Sequence, residues 1–139
     1  MNCDLKRQLT ISLENRPGVL SRVAKTLAAH SVNIRGICVQ DSVEQGVVRL
    51  LAEPWEEALQ TLQEAGFHPV QADVVELETH SVPGALGMIA GALGAEGINI
   101  EYAYGTEPVG GASSMSIVVK VSQSERAVEV IKSFELPSE

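Results

Sequence analysis

Hydrophobic and polar residues follow two different periods near the start of the chain. Leu9, Ile11 and Leu13 alternate with polar neighbours across residues 7–14, which is typical of a strand with one buried face. Across residues 19–28 the apolar positions instead recur every three or four residues, which predicts an amphipathic helix of about three turns. The pattern therefore predicts a strand that leads directly into a helix.

The segments that follow predict two more strands, a second helix and a further strand, in that order: residues 32–40, 47–53, 54–66 and 67–72. A polar link at residues 41–46 joins the first two of these strands. Pro69 lacks a backbone N–H, which confines the last strand to the edge of a sheet. The predicted order of elements is βαββαβ.

Two short motifs occur twice in the chain at the same spacing. Pro17-Gly18 recurs as Pro83-Gly84 and Asn33-Ile34 recurs as Asn99-Ile100, with an offset of 66 in both cases (83 − 17 and 99 − 33). A fixed internal period indicates repeated structural units. We therefore expect two similar modules, residues 1–72 and residues 73–139.

The second half predicts the same elements with two changes. Its strands and helices are expected at residues 73–79, 82–95, 97–105, 113–122 and 125–133. The loop at residues 106–112 is longer than its counterpart, and only residues 134–139 remain for a fourth strand, which we expect to be short or missing. A βαββαβ unit folds as an antiparallel sheet with both helices on one face. The expected class is α+β, with two ferredoxin-like modules side by side.

Composition and charge exclude several function classes. The formal net charge of −8 opposes binding to nucleic acid or to an anionic membrane, because phosphate groups are bound by clustered Lys and Arg. No basic-then-apolar leader and no apolar run long enough to span a membrane is present. We expect a cytoplasmic protein that contacts neither nucleic acid nor membrane.

The cysteines and histidines indicate no cofactor. Cys3 and Cys38 form neither a disulfide framework nor a metal-type pair, and neither His30 nor His68 stands at a metal-ligand spacing from them. The glycines of residues 84–97 match no phosphate-binding motif. We therefore expect no metal and no other cofactor.

The segment ENRPGVLSRVAKTLAAHSVNI, residues 14–34, resembles the ACT domain family, whose members are small-molecule sensing modules. The resemblance covers nearly the whole chain twice, and the first copy is similar to the regulatory domain of phosphoglycerate dehydrogenases. In the second copy Ser81 and Val82 stand where the first copy has Asn15 and Arg16.

The resemblance implies a ligand site where two modules meet, built from the strand–helix loop of one module and the second-strand Asn-Ile of the other. One expected site joins Asn15, Arg16, Pro17, Gly18, Val19 and Leu20 with Asn99 and Ile100. Its counterpart joins Ser81, Val82, Pro83, Gly84, Ala85 and Leu86 with Asn33 and Ile34.

The chemistry of these loops suits a free amino acid. The start of a helix presents unpaired N–H groups and the positive end of the helix dipole, which favour a carboxylate. Asn side chains offer a donor and an acceptor for the remaining polar groups of the ligand. We expect the first loop to bind better, because it keeps the Asn15 amide and adds the Arg16 cation. Leu13 stands where serine sensors of the family carry His, so serine is not supported as the ligand.

The expected function is a regulatory protein that is not itself an enzyme, forms a homodimer or associates with a metabolic enzyme, and regulates that enzyme. Two alternatives stay open: a small hydrolase of the acylphosphatase type that uses Arg16 and Asn33, and a structural subunit whose sites have decayed. His80 and Ser81 indicate no catalytic pair, because neighbours in an extended segment face opposite sides. Pro-Gly at a strand–helix junction also occurs as a simple turn.

Overall fold

The structure is a computed structural model and describes residues 2–41, 45–106 and 113–134. These residues form six strands and four helices: β1 (Cys3–Glu14), α1 (Val19–Ala29), β2 (Asn33–Asp41), β3 (Gln45–Glu53), α2 (Trp55–Glu64), β4 (Val70–His80), α3 (Ala85–Ala95), β5 (Ile100–Thr106), β6 (Ser114–Val121) and α4 (Ser124–Ser133). None of the helices within this part of the chain has the length and apolar character needed to cross a membrane.

The chain divides into two compact units. The first unit is Arg7–Ala72, and the second unit combines Met1–Lys6 with Asp73–Glu139. In the first unit β3 lies between β1 and β2 and pairs antiparallel with both. Both helices pack on the same face of these strands, because one core contains residues of α1, α2 and the strands: Leu9, Ile11, Val23, Leu27, Val48, Leu50, Ala58 and Leu62.

The second unit repeats this arrangement. β6 lies between β4 and β5 and pairs antiparallel with both. Its core again combines the two helices with alternate strand residues: Cys3, Val75, Leu77, Ile89, Leu93, Ile117, Val119, Ala127 and Ile131. Amphipathic patterning accounts for the placement of α1, α2 and α4 on the sheet, whereas α3, with the sequence ALGMIAGALGA, carries apolar residues or glycine on all its faces.

The first residues of β1 belong to the second unit. β1 begins at Cys3, four residues before the strand expected at residues 7–14, and Cys3 is 4% exposed within the second core. The backbone N–H of Glu78 in β4 donates to the carbonyl of Asn2 at 2.9 Å. Residues 3–6 therefore supply strand structure to a unit in which we expected the fourth strand to be short or missing. Of residues 134–139, which were left for that fourth strand, residues 135–139 lie outside the described residues.

The prediction of two separate strands at residues 67–72 and 73–79 is wrong, because residues 70–80 form the single strand β4. No glycine or proline interrupts this segment, so nothing in its local sequence turns the chain. The predicted link at residues 41–46 and the predicted loop at residues 106–112 are described only in part. Residues 42–44 of the first and residues 107–112 of the second lie outside the described residues.

Helices α1 and α3 end with the same hydrogen bonds. The N–H of Val32 donates to the carbonyl of Leu27, and the N–H of Ile98 donates to the carbonyl of Leu93, both at 3.0 Å. Each helix is followed by a residue in the left-handed conformation, Ser31 with φ of 58° and Gly97 with φ of 70°. These contacts form a Schellman motif, in which glycine is normally preferred at the left-handed position.

The replacement Ser31→Gly is expected to raise the free energy of unfolding by about 0.5–1 kcal/mol, because glycine adopts a positive φ without a Cβ penalty. Gly97→Ser is expected to lower it by a similar amount, and urea unfolding of both variants measures the two changes. A loss of stability in Ser31→Gly would contradict the prediction.

Candidate functional site

The two strand–helix loops have nearly the same backbone conformation. Gly18 precedes α1 with φ of 86° and ψ of −11°, and Gly84 precedes α3 with φ of 87° and ψ of −8°. A Cβ added at either position would meet no atom within 4 Å, so it is the positive φ and not crowding that requires glycine. The same open space allows a ligand to approach the backbone at both loops.

Hydrogen bonds within the loops also repeat at the offset of 66. The N–H of Arg16 donates to the carbonyl of Glu14 and the N–H of Val82 donates to the carbonyl of His80, both at 3.0 Å. The first helical bonds, from Arg22 to Gly18 and from Met88 to Gly84, are 3.0 Å as well. The duplication therefore extends from the sequence to the individual contacts of the loops.

The starts of the four helices differ in charge. α2 carries Glu56 and Glu57 in its first turn and α4 carries Glu125. α1 and α3 carry no acidic residue there, and no side chain caps any of the four helices by a hydrogen bond. Because the positive end of a helix dipole is stabilised by negative charge, the starts of α1 and α3 are suited to an anionic guest.

The first loop already contains its own ion pair. The Nε of Arg16 lies 2.6 Å from a carboxylate oxygen of Glu14, and the two side chains are 60% and 69% exposed. This carboxylate balances the cation expected to favour a ligand at the first loop. At the equivalent positions the second loop has His80 and Val82, so it contains neither charge of this pair.

The residues proposed for the site differ in exposure. Those at the tips of the loops are exposed: Asn15, Arg16, Pro17, Gly18, Leu20, Ser81, Pro83, Gly84 and Leu86. Val19 and Ala85 are buried beneath them as the first residues of α1 and α3. Val82, Ile34 and Ile100 are half-buried, while Asn33 and Asn99 are exposed.

Within each unit, the loop and the asparagine lie at opposite ends of the strands. Asn33 pairs with Glu53 at one end of β3, whereas Glu14, next to the loop, pairs with Gln45 at the other end. Asn99 exchanges hydrogen bonds with Ser122, its N–H donating to Oγ at 3.2 Å and its carbonyl accepting from the Ser122 N–H at 3.1 Å. Since α1 and α3 are each 11 residues long, the separation is about 16 Å. The meeting of one module's loop with another module's asparagine stays a prediction.

Thr79 is a buried polar residue that the sequence analysis missed. It is 6% exposed, and its hydroxyl oxygen Oγ1 has no hydrogen-bond partner among the described residues. The offset of 66 aligns Thr79 with Leu13, which lies in the first core. A hydroxyl at a position where the repeat places a leucine was the signal available in the sequence.

The side chains in the described ranges that could take part in catalysis or metal binding do not form a common site. His80 and Ser81 are both exposed, and no group of three His, Cys, Asp or Glu residues within the described ranges could hold a metal ion. Burial raises the pKa of the Cys3 thiol, with Lys132 acting in the opposite direction, so this thiol is disfavoured as a thiolate nucleophile.

A family model described as an ACT domain pair matches residues 5–137. The chain belongs to the ACT domain pair family. The resemblance seen in residues 14–34 is thereby confirmed, and so is the α+β fold of two ferredoxin-like modules.

Solved structures share the fold of this ACT domain pair over nearly its whole length. Protein BT0572 from Bacteroides thetaiotaomicron is 31% identical, with 96% of this chain and 90% of that chain covered and a TM-score of 0.86. The ligand-free regulatory subunit of aspartate kinase from Thermus thermophilus is 18% identical, with 97% and 99% covered and a TM-score of 0.70. The corresponding subunit from Thermus flavus is 17% identical, with 95% and 94% covered and a TM-score of 0.65. A search of curated proteins found no match.

Proposed function

We propose that this ACT domain pair is a regulatory protein that binds a free amino acid at its strand–helix loops and regulates a partner metabolic enzyme. The observation that carries the proposal is the contrast among helix starts. α2 and α4 have their own carboxylates in the first turn, whereas α1 and α3 have no acidic residue there, and no side chain caps any of the four helices. The two helices without a negative charge at the start, α1 and α3, are those that follow the repeated Pro-Gly loops.

The α-carboxylate of an amino acid supplies the missing negative charge. Its oxygens accept hydrogen bonds from N–H groups in the first turn of the helix, at the glycine where open space allows close approach. The α-ammonium and the side chain of the ligand then require acceptors and donors from nearby residues. Asn99 and Asn33 remain our proposed partners, supplied by a second module.

Two lines of support favour regulation over catalysis. The regulatory subunits of aspartate kinase from Thermus species share this fold, which fits a module that senses a metabolite for an enzyme. The alternative hydrolase would need Arg16 and Asn33 at one place, but Arg16 pairs with Glu14 and Asn33 lies at the other end of the first unit. We therefore propose that the chain has no catalytic activity of its own and acts through a second copy or a metabolic enzyme.

A thermal-shift screen of the free L-amino acids is expected to identify at least one that raises the melting temperature. A ligand that binds only the folded state contributes about 2.7 kcal/mol at 100 times its Kd. The absence of any stabilisation by the whole panel would reject an amino acid as the ligand.

Self-capping variants test whether the carboxylate binds at the helix starts. Ser21 and Gly87 are the third residues of α1 and α3 and are equivalent under the offset of 66. An aspartate there supplies the negative charge internally, so Ser21→Asp and Gly87→Asp are expected to stabilise the free protein by about 0.3–1 kcal/mol. Each is also expected to weaken amino-acid binding at its own loop by tenfold or more, because the ligand carboxylate meets a like charge.

The uncharged variants Ser21→Asn and Gly87→Asn are the matched controls. Calorimetric titration is expected to show weakening that is larger for each aspartate than for its asparagine counterpart. Equal affinities for all four variants and the parent would place the ligand elsewhere than at the helix starts.

A further inference from the structure

We propose that the Thr79 hydroxyl donates a hydrogen bond to the carboxylate of an amino acid bound at the second loop, so that the second loop is the principal ligand site. The inference rests on the proposed function and adds a residue and a preference between the two loops. It starts from the buried hydroxyl oxygen of Thr79, which has no hydrogen-bond partner among the described residues although the residue is only 6% exposed. A buried polar group without a partner is disfavoured in the free protein and is satisfied when a ligand supplies an acceptor.

Two other buried side-chain atoms lack a partner in the described part of the chain, and they are less informative. One is Oγ1 of Thr106. The residue as a whole is only half-buried, and it directly precedes residues 107–112, which lie outside the described residues. The Nε of Arg49 belongs to a guanidinium whose Nη1 donates to Gln40.

The position of Thr79 places its side chain next to the second loop. Alternation along β4 puts Thr79 on the face that carries Val75 and Leu77, both of which lie in the core with α3. Thr79 is the last of these three along the strand, two residues before Ser81, and α3 begins at Ala85. The hydroxyl therefore lies on the face of β4 that α3 covers, at the end of the strand that leads into the loop and α3.

Access to the hydroxyl involves side chains that can move. Met115 of β6 lies opposite Thr79 in the pairing of β4 with β6, and it is only half-buried. Its unbranched side chain has several rotatable bonds. Val82, within the loop, is half-buried as well. The side chain of Met115 can therefore change its rotamer beside Thr79 without breaking the pairing of the two strands.

The charges of the two loops favour the same assignment. At the first loop an incoming carboxylate meets Glu14, which is held by Arg16 at 2.6 Å, and Leu13 offers no hydrogen bond. At the second loop the equivalents of Glu14 and Leu13 are His80 and Thr79. The second loop therefore lacks the competing carboxylate and gains a donor, whereas residue types alone favoured the first loop through Asn15 and Arg16.

The test compares Thr79→Val with Thr79→Ser in the intact chain. Valine keeps the shape of threonine without the hydroxyl, and serine keeps the hydroxyl without the methyl group. Each free L-amino acid is titrated separately, with melting temperature and calorimetric Kd as the two measurements. Thr79→Val is expected to raise the melting temperature of the free protein by about 4 °C, because the unsatisfied hydroxyl is gone. It is also expected to weaken binding of the stabilising amino acid by about tenfold, while Thr79→Ser keeps the affinity within about threefold of the parent.

The opposite signs of these two effects make the proposal falsifiable. If Thr79→Val raises the melting temperature but leaves the Kd unchanged, the hydroxyl is only a structural defect and the inference is wrong, although the proposed function stands. If Thr79→Val lowers the melting temperature of the free protein, the hydroxyl has an internal partner and the inference is likewise overturned. If no amino acid binds the parent protein, the proposed function itself fails and takes the inference with it.

Discussion

Cys3→Asp is expected to lower the free energy of unfolding by about 3–5 kcal/mol at neutral pH. Cys3 is 4% exposed in the core of the second unit, and its Sγ lies 3.6 Å from the carbonyl of Val128. Burial already raises the pKa of this thiol, which indicates surroundings that disfavour a negative charge. The positive charge of Lys132 offsets only part of this effect, and a carboxylate buried in an apolar core is among the most destabilising changes in a protein.

Leu5→Asp is the matched control for Cys3→Asp. Leu5 lies two residues along the same strand and is 43% exposed, so the same charge there is expected to cost less than about 1 kcal/mol. Denaturant unfolding followed by circular dichroism measures both changes.

Hydrogen exchange shows which unit loosens in Cys3→Asp. Since residues 3–6 belong with the second unit, amides of β6 such as Ile117 and Val119 are expected to lose more protection than Val48 and Leu50 of β3. Preferential loss in β3 would assign the start of β1 to the first unit instead.

Leu27→Ala and Leu93→Ala are each expected to lower the free energy of unfolding by about 2–5 kcal/mol. The two leucines are equivalent under the offset of 66, each has 0% exposure, and each lies in the core of its own unit. Truncation to alanine removes buried methyl groups and leaves a cavity, and both effects reduce stability. Because the repeat places both leucines alike, the two losses are expected to agree within about 1 kcal/mol.

Leu20→Ala and Leu86→Ala are the controls for these core variants. They form a second equivalent pair and are 43% and 48% exposed, so their expected cost is below about 1 kcal/mol. Urea unfolding of all four variants checks the prediction. A core variant that costs no more than its exposed control would show that the cavity closes by repacking.

Local patterns in the sequence were sufficient to predict most of the elements. Strand and helix periods depend on neighbouring residues, and the offset of 66 between Pro17-Gly18 and Pro83-Gly84 revealed the duplication without any coordinates. The positive φ at Gly18 and Gly84 and the shared hydrogen bonds of the loops follow from those same repeated residues. The sequence by itself therefore determined the two modules, the order of their elements apart from the single strand β4, and the positions of the candidate loops.

Contacts between residues far apart in the chain determined the structural features that the sequence did not predict. The membership of residues 3–6 in the second unit depends on β4, which lies some seventy residues further along the chain. The prediction of two strands in place of β4 failed because the boundary between the repeats does not interrupt the strand: no glycine or proline turns the chain there. The burial of the Thr79 hydroxyl without a partner likewise depends on tertiary packing, in which β4 pairs with β6 and shares a core with α3. The burial of a side chain and its hydrogen-bond partners are set by tertiary packing, whereas hydrophobic periodicity is a property of the sequence. The sequence therefore predicted the elements, and only the tertiary structure showed which groups are buried and which of them lack a partner.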